Sequence, residues 1–116
     1  MRTIIKRDPI KGRGVYALQL ITKGELIETC ELIILDLEHV QDDLEGYVYQ
    51  YSKRKAAVAL GSGSLYNHSD SSNCIFYFNY RKKQLLFKAC KDIEPGQEIT
   101  INYGYDRQSK KKFNII

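Results

Sequence analysis

Seven consecutive side chains that can form hydrogen bonds follow a short apolar segment in the middle of the chain. They are Asn67 to Asn73, in the order Asn-His-Ser-Asp-Ser-Ser-Asn, and they come directly after Tyr66. One interpretation is a surface turn, because Asn, Asp and Ser stabilise turns by bonding the local backbone. The other is a binding site, because Asn67 and His68 placed after a buried strand are costly unless the protein or a ligand bonds them. The neighbouring residues supply no serine–histidine–acid triad.

Two further segments have residue types and spacing that suit a binding cleft. Lys11 to Ala17 reads KGRGVYA, a glycine pair around one arginine, and it lacks the third glycine and the helix of a dinucleotide-binding loop. Gly96 to Asp106 reads GQEITINYGYD and places Tyr103 and Tyr105 two residues apart. Because a glycine follows Tyr103, its ring has room around it, and two such rings suit the wall of a narrow slot.

Composition limits the class of protein. A chain of 116 residues with 43% hydrophobic and 28% charged residues is one ordinary globular domain. Its three cysteines are odd in number and form no CxxC pair, so the sequence predicts buried free thiols in a reducing compartment and no metal site. The first residues lack the apolar core of a signal peptide, and no window approaches a membrane span. A cytoplasmic, intracellular protein without membrane contact is therefore expected.

The net charge of +4 comes largely from basic clusters at Lys53–Lys55, at Arg81–Lys83 and in the tail from residue 107. Such clusters can meet an acidic partner or a nucleic acid, and they can equally be a solvated hairpin tip and a polar tail. No recognition helix or base-stacking motif accompanies them. A small basic nucleic-acid-binding β-domain is therefore kept as an alternative, and nucleic acid is not the expected partner.

Short segments rich in Ile, Val, Tyr and Phe predict strands over most of the chain. CIFYFNY and QLLFKAC, separated by RKK, predict a β-hairpin, and IEPGQE predicts a tight turn with Gly96 at positive φ. The segment Leu35 to Tyr47 is the one stretch with helical spacing, and its weak apolar stripe ends at Gly46. The pattern alone predicts a mainly β domain built from several small curved sheets.

The order of KGRGVYA, GELIE, LYNHSDSSN and EITINYGYD resembles the SET domain of protein-lysine methyltransferases, over about Gly12 to Asp106. The compact spacing is similar to that of stand-alone viral and bacterial SET proteins. The resemblance implies a β-clip-like SET fold with a C-terminal pseudoknot, and a single domain over residues 1–116 with its core at about 12–106. It also implies that the basic tail, residues 107–116, closes the cofactor site, because the cysteine cluster that follows the domain in many relatives is absent.

The same resemblance implies S-adenosylmethionine as cofactor and S-adenosylhomocysteine as product. His68 and its neighbours match the positions that bond the adenine through the backbone, and Asn67 matches the one that faces the methionine end. The glycine loop matches the segment that closes over the amino-acid moiety, with Arg13 at its carboxylate, and Phe113 is expected against the adenine. The implied cofactor-binding residues are Gly12, Arg13, Gly14, Asn67, His68, Tyr103 and Phe113.

Tyr103 is the catalytic residue that the resemblance implies. Its hydroxyl would lie beside the transferring methyl group, with backbone carbonyls on the other sides. Tyr47 and Tyr105 match walls of the lysine channel, where aromatic rings suit an apolar stem with a charged tip, and Tyr49 replaces Tyr47 if the strand register shifts. Ile101 occupies the position that sets the number of methyl groups, and because it lacks a hydroxyl we expect di- or trimethylation to be permitted.

The function implied is N-methylation of lysine in a protein substrate, for which a histone tail is a candidate. The main alternative is a non-catalytic SET-fold module that binds protein. A homodimer is compatible with so small a domain, and a viral protein or bacterial effector would act in a host nucleus. The acidic run that could meet a basic tail contains Glu38, Asp42, Asp43 and Glu45.

Overall fold

A computed structural model describes residues 2–10 and 12–103 of the chain. Within these residues the regular structure is almost entirely β, which confirms the predicted class. The strands are β1 (Thr3–Asp8), β2 (Gly12–Ala17), β3 (Leu26–Asp36), β4 (Val48–Gln50), β5 (Lys55–Ala59), β6 (Asn67–His68), β7 (Cys74–Asn79), β8 (Gln84–Ala89) and β9 (Glu98–Ile101), and two 3₁₀ turns are η1 (Leu37–His39) and η2 (Glu45–Tyr47).

The strands form two sheets. One has four strands in the order β1-β2-β9-β6, and the other has five in the order β4-β5-β3-β8-β7. The long strand β3 pairs with β8 through Leu26–Glu31 and with β5 through Leu32–Asp36. The register shifts between Leu26 and Glu28, and a bulge of this kind bends a strand. The larger sheet is therefore curved, as the short-strand pattern predicts.

The hydrophobic core contains side chains from both sheets. Alternate residues of β7 and β8 point into it, as the two-residue period of a strand requires. Val15 and Ile99, from the smaller sheet, belong to the same buried cluster. Burying one large apolar side chain contributes about 1.5–3 kcal/mol, so this cluster holds the two sheets together. The β7 and β8 residues in the core are Cys74, Phe76, Phe78, Leu85, Phe87 and Ala89.

The predicted hairpin and tight turn are confirmed, and the one segment with helical spacing forms no α-helix. Strands β7 and β8 pair in register along their whole length, and Gly96 has a φ of 86°. The segment Leu35–Tyr47 contains only the turns η1 and η2, neither of which buries a residue or has a side-chain cap. A short helix depends on packing an apolar face, and the weak stripe in this segment is too small to supply one.

The segment 67–73 lies beside β9 at a tight junction. Strand β6 runs parallel to β9, with Asn67 opposite Thr100. The side chain of Asn73, 6% exposed, donates to the Glu98 carbonyl at 2.8 Å and accepts from the Thr100 N–H at 2.9 Å. One buried amide thus satisfies two backbone groups. The two segments that the resemblance places at the pseudoknot therefore lie side by side, and the predicted threading of the C-terminal segment falls outside the described residues.

All three cysteines fall within the described residues and are free thiols, with Cys30 and Cys74 buried and Cys90 partly exposed. Burial raises the pKa of Cys30 and of Cys74, which keeps both thiols protonated. The predicted free thiols are therefore confirmed. In residues 2–10 and 12–103, no helix is long and apolar enough to cross a membrane.

Candidate active site

A cleft of about 360 Å³ lies where the smaller sheet meets the η2 turn. A larger groove of about 670 Å³ is lined by residues of β7 and β8 and contains none of the predicted site residues, so the smaller cleft is the candidate site. The cleft is lined by Arg7, Gly12, Arg13, Gly46, Tyr47, Ser64, Leu65, Tyr66, Asn67 and Tyr103. Five of these were predicted from the sequence: Gly12, Arg13, Tyr47, Asn67 and Tyr103.

Asn67 is held in one orientation by two acceptors. Its Nδ2 donates to the Arg13 carbonyl at 2.9 Å and to Glu98 Oε2 at 2.7 Å. A carbonyl and a carboxylate can only accept, so the atom facing them must be the amide nitrogen. Both N–H groups of the side chain are therefore used within the protein, and the amide presents its oxygen as the group available to a ligand.

The two glycines of the KGRG segment, which form the start of β2, are required for different reasons. Gly14 lies against the Asn67–Glu98 pair, where a Cβ would come within 2.6 Å of Glu98 Oε2 and 2.9 Å of Asn67 Nδ2. Gly12 has open space around its Cα but a φ of 82°, a conformation that side chains with a Cβ rarely adopt. The crowding at Gly14 thus comes from the side chains of Glu98 and Asn67.

Tyr103 is anchored at both its backbone and its hydroxyl. Its N–H donates to His68 Nδ1 at 3.0 Å, and its Oη donates to the Tyr66 carbonyl at 2.7 Å. Burial raises the pKa of Tyr103, and the negative charge of Glu98 raises it further. The phenol therefore stays protonated at neutral pH and cannot act as a general base. Two oxygens, one phenolic and one carbonyl, lie side by side at the cleft.

His68 supports this arrangement from the exposed side of β6. Because its Nδ1 accepts the Tyr103 N–H, its Nε2 carries the ring proton and donates to Asp70 Oδ1 at 3.0 Å. The ring centroids of His68 and Tyr103 are 5.2 Å apart. Thirty-five residues separate the two in sequence, and the structure joins them directly.

Five residues that line the cleft were not predicted as site residues, namely Arg7, Gly46, Ser64, Leu65 and Tyr66, and neither was Glu28 behind it. Tyr66 is almost fully buried, and its ring stacks on Phe87 with centroids 4.4 Å apart. Its hydroxyl donates to Glu28 Oε1 at 2.7 Å, and burial raises its pKa well above the usual value. Glu28 belongs to GELIE, one of the four segments that carry the resemblance, but that segment did not indicate the contacts of Glu28.

The remaining predicted residues have different positions. Tyr47 is 42% exposed at the rim of the cleft, whereas Tyr49 is buried and donates its hydroxyl to the Gly63 carbonyl. Tyr47 is therefore the one of the two that faces the cleft. Ile101 is fully buried in the core and does not line the cleft, so its influence on the number of methyl groups stays a prediction. Tyr105 and Phe113 lie outside the described residues.

Comparisons with known proteins agree on one family. The family model described as SET domain matches residues 12–104. A Schizosaccharomyces pombe protein named histone-lysine N-methyltransferase, H3 lysine-37 specific, is 29% identical over 116 residues, covering 90% of this chain and 79% of that protein. The Danio rerio N-lysine methyltransferase KMT5A-A is 30% identical over 112 residues, covering 81% of this chain and 33% of its own length.

A solved structure has the same fold. It is a crystal structure of a Plasmodium falciparum protein proposed to be a histone methyltransferase, and it superposes with a TM-score of 0.76 at 31% identity. The match covers 92% of this chain and 96% of that chain. The similarity therefore extends over nearly all of both chains.

Proposed function

This chain belongs to the SET-domain family, and we propose that it transfers methyl groups from S-adenosylmethionine to the ε-amine of lysine in a protein substrate. The relatives named above support the reaction class, since they are named lysine methyltransferases. The observation that carries the proposal is that Asn67 and Tyr103 line one cleft, with His68 accepting the Tyr103 N–H. These residues come from two segments far apart in the chain.

The polar groups of the cleft fit the amino-acid end of this cofactor. Arg7 and Arg13 line the cleft, and a guanidinium group suits a carboxylate, while the Asn67 amide oxygen suits an ammonium group. His68 and Phe113 are proposed to lie at the adenine. When bound, S-adenosylmethionine supplies a methyl group activated by a sulfonium.

The acceptor side of the reaction depends on keeping the lysine amine neutral. A lysine in water has a pKa of about 10.4, and removal from water and the nearby positive sulfur lower it, so the ammonium loses its proton to water before the methyl group is transferred. Since Tyr103 stays protonated, we propose that it orients the methyl group and takes no proton. Its oxygen and the Tyr66 carbonyl would make weak C–H···O contacts to a polarised methyl group. Correct alignment of the reacting atoms can supply about 7–11 kcal/mol of the barrier.

The walls of the lysine channel are proposed to be aromatic. Tyr47 lies at the rim, with the Arg13 guanidinium carbon 6.0 Å from its ring centroid, and Tyr105 is proposed as a second wall. Ile101 is proposed to leave room for more than one methyl group. Mass spectrometry after exhaustive reaction tests this: di- or trimethyl-lysine is expected, and strictly one methyl group would contradict it.

The substrate is proposed to be a lysine in a basic segment, such as a histone tail. The acidic run ends at Glu45, directly before Gly46 and Tyr47 of the cleft. Its members Asp42 and Asp43 are exposed. Negative charges next to the cleft favour the encounter with a positively charged segment of a substrate. The name of the fission yeast relative, which specifies lysine 37 of histone H3, supports the same substrate class.

The direct test is a methyl-transfer assay with purified protein, labelled S-adenosylmethionine and histone H3 or H4. Label on a lysine of the protein substrate is expected. Calorimetry with the cofactor separates this function from the alternatives. Cofactor binding without turnover on any of several protein substrates would favour a binding module, and absence of both would refute the proposal.

A further inference from the structure

Glu28 lies behind the cleft and ties the segment 61–66 to strand β3. Its Oε1 accepts the Tyr66 hydroxyl at 2.7 Å, and its Oε2 accepts the Ser62 N–H at 3.0 Å. Both oxygens of the carboxylate therefore bond to the segment that leads into Asn67. Hydrogen bonds to a charged acceptor are about twice as strong as neutral ones, so this anchor resists displacement.

The segment is built tightly around this carboxylate. Gly61 has a φ of 70°, and a Cβ at that position would lie 2.5 Å from Glu28 Oε2. The positive φ of residue 61 and the nearby carboxylate both disfavour any residue with a Cβ at this position. The close approach of backbone to carboxylate depends on glycine here.

Tyr66 connects this anchor to the proposed catalytic hydroxyl. Its ring is stacked on Phe87 and only 2% of the residue is exposed, so the side chain has little freedom to move. Its phenol end is held by Glu28, and its backbone carbonyl accepts Tyr103 Oη at 2.7 Å. A displacement of the ring would therefore move the carbonyl that orients the Tyr103 hydroxyl.

We propose that Glu28 is a positioning residue for methyl transfer, acting through Tyr66 on the Tyr103 hydroxyl; the proposal rests on the function proposed above. Glu28 does not line the cleft, so its replacement removes no group that lines the cleft. A misplacement of about 1 Å in reacting groups can cost about 100-fold in rate. A substitution that keeps part of the contact between Glu28 and Tyr66 should displace the Tyr103 hydroxyl less. We therefore expect it to lower kcat about 10-fold, with little change in KM or in cofactor affinity.

The experiment compares Glu28→Gln and Tyr66→Phe in the wild-type and Tyr103→Phe backgrounds. Glutamine keeps one acceptor oxygen, and phenylalanine keeps the ring stacked on Phe87. Each change is expected to lower kcat about 10-fold in the wild-type background. In the Tyr103→Phe background it should have no further effect, because the effects of mutations that act through the same group do not add. Equal losses in both backgrounds would indicate a general structural role and overturn the proposal.

Glu31→Gln is the matched control, because Glu31 lies on the same strand, is exposed and bonds the Gln84 side chain away from the cleft. Its kcat is expected to equal that of the wild type. Thermal unfolding verifies that each variant is folded at the assay temperature. If Glu28→Gln is unfolded at that temperature, Tyr66→Phe provides the test. A wild-type protein with no methyl transfer would refute the proposed function and this inference together. Normal Glu28→Gln kcat beside an impaired Tyr103→Phe would refute the inference alone.

Discussion

Replacing Gly14 by alanine tests the packing that holds Asn67 in the cleft. The new Cβ would lie 2.6 Å from Glu98 Oε2 and 2.9 Å from Asn67 Nδ2, whereas ordinary contact begins at 3.4 Å. One of the two side chains must retreat, which breaks the 2.7 Å bond between them. A hydrogen bond to a charged group contributes about 1.5–3 kcal/mol, and the lower entropy of the unfolded alanine chain offsets about 0.4–1 kcal/mol of this loss. We expect the free energy of unfolding to fall by about 1–2 kcal/mol.

Urea unfolding, followed by the fluorescence of the nine tyrosines, measures this change in stability. Calorimetry measures the affinity for S-adenosylmethionine, which we expect to weaken by about tenfold, corresponding to about 1.4 kcal/mol. Gly46→Ala is the stability control, because a Cβ there meets nothing within 4 Å, and its effect should stay within about 0.5 kcal/mol. Wild-type stability and cofactor affinity in Gly14→Ala would refute the reasoning.

Three further predictions concern the core, the junction and the substrate. Burial raises the pKa of Cys30 and Cys74, while in the unfolded chain thiols ionise near pH 8.5, so stability is full below about pH 8.5 and falls above it by up to about 1.4 kcal/mol per pH unit per thiol. Asn73→Ala leaves two backbone groups at the junction without their partner and should lower the free energy of unfolding by about 2–5 kcal/mol in urea titrations. Exchanging Asp42 and Asp43 for asparagine should raise KM for a basic peptide at low salt, with the difference shrinking as ionic strength rises.

Each of these has a contradicting result. Unfolding free energies that stay constant from pH 7 to pH 10 would show that the two thiols do not remain protonated in the folded state. An Asn73→Ala variant as stable as the wild type would show that water replaces its two bonds. Equal KM values at all ionic strengths would remove the acidic run from substrate recognition.

The strands and the hairpin could be predicted because their information is local. The run of apolar and aromatic residues from Cys74 to Phe78 predicts a strand, and the polar tip before Gln84 predicts the turn. The helical spacing of Leu35–Tyr47 did not decide its structure, because a weak apolar stripe does not show whether another surface packs against it. Propensity alone does not stabilise a segment of this length.

The site was only partly predictable. The family resemblance predicted that Asn67, His68 and Tyr103 belong to one site, although no local sequence pattern links residues so far apart. It did not identify Glu28, because a carboxylate on a half-buried strand normally faces water, and its bond to Tyr66 depends on how the segment 61–66 folds. Pair contacts of this kind follow from tertiary geometry, which a single sequence does not contain.

The central claim is that Tyr103 orients a methyl group for transfer to lysine in a cleft that binds S-adenosylmethionine. The most direct test measures methyl transfer to a protein lysine by wild-type and Tyr103→Phe protein, together with the cofactor affinity of both. We predict transfer by the wild type, a loss of at least about 100-fold in kcat for Tyr103→Phe, as expected for misplaced reacting groups, and similar cofactor affinities. Undiminished turnover in Tyr103→Phe, or a wild-type protein that does not bind the cofactor, would contradict the claim.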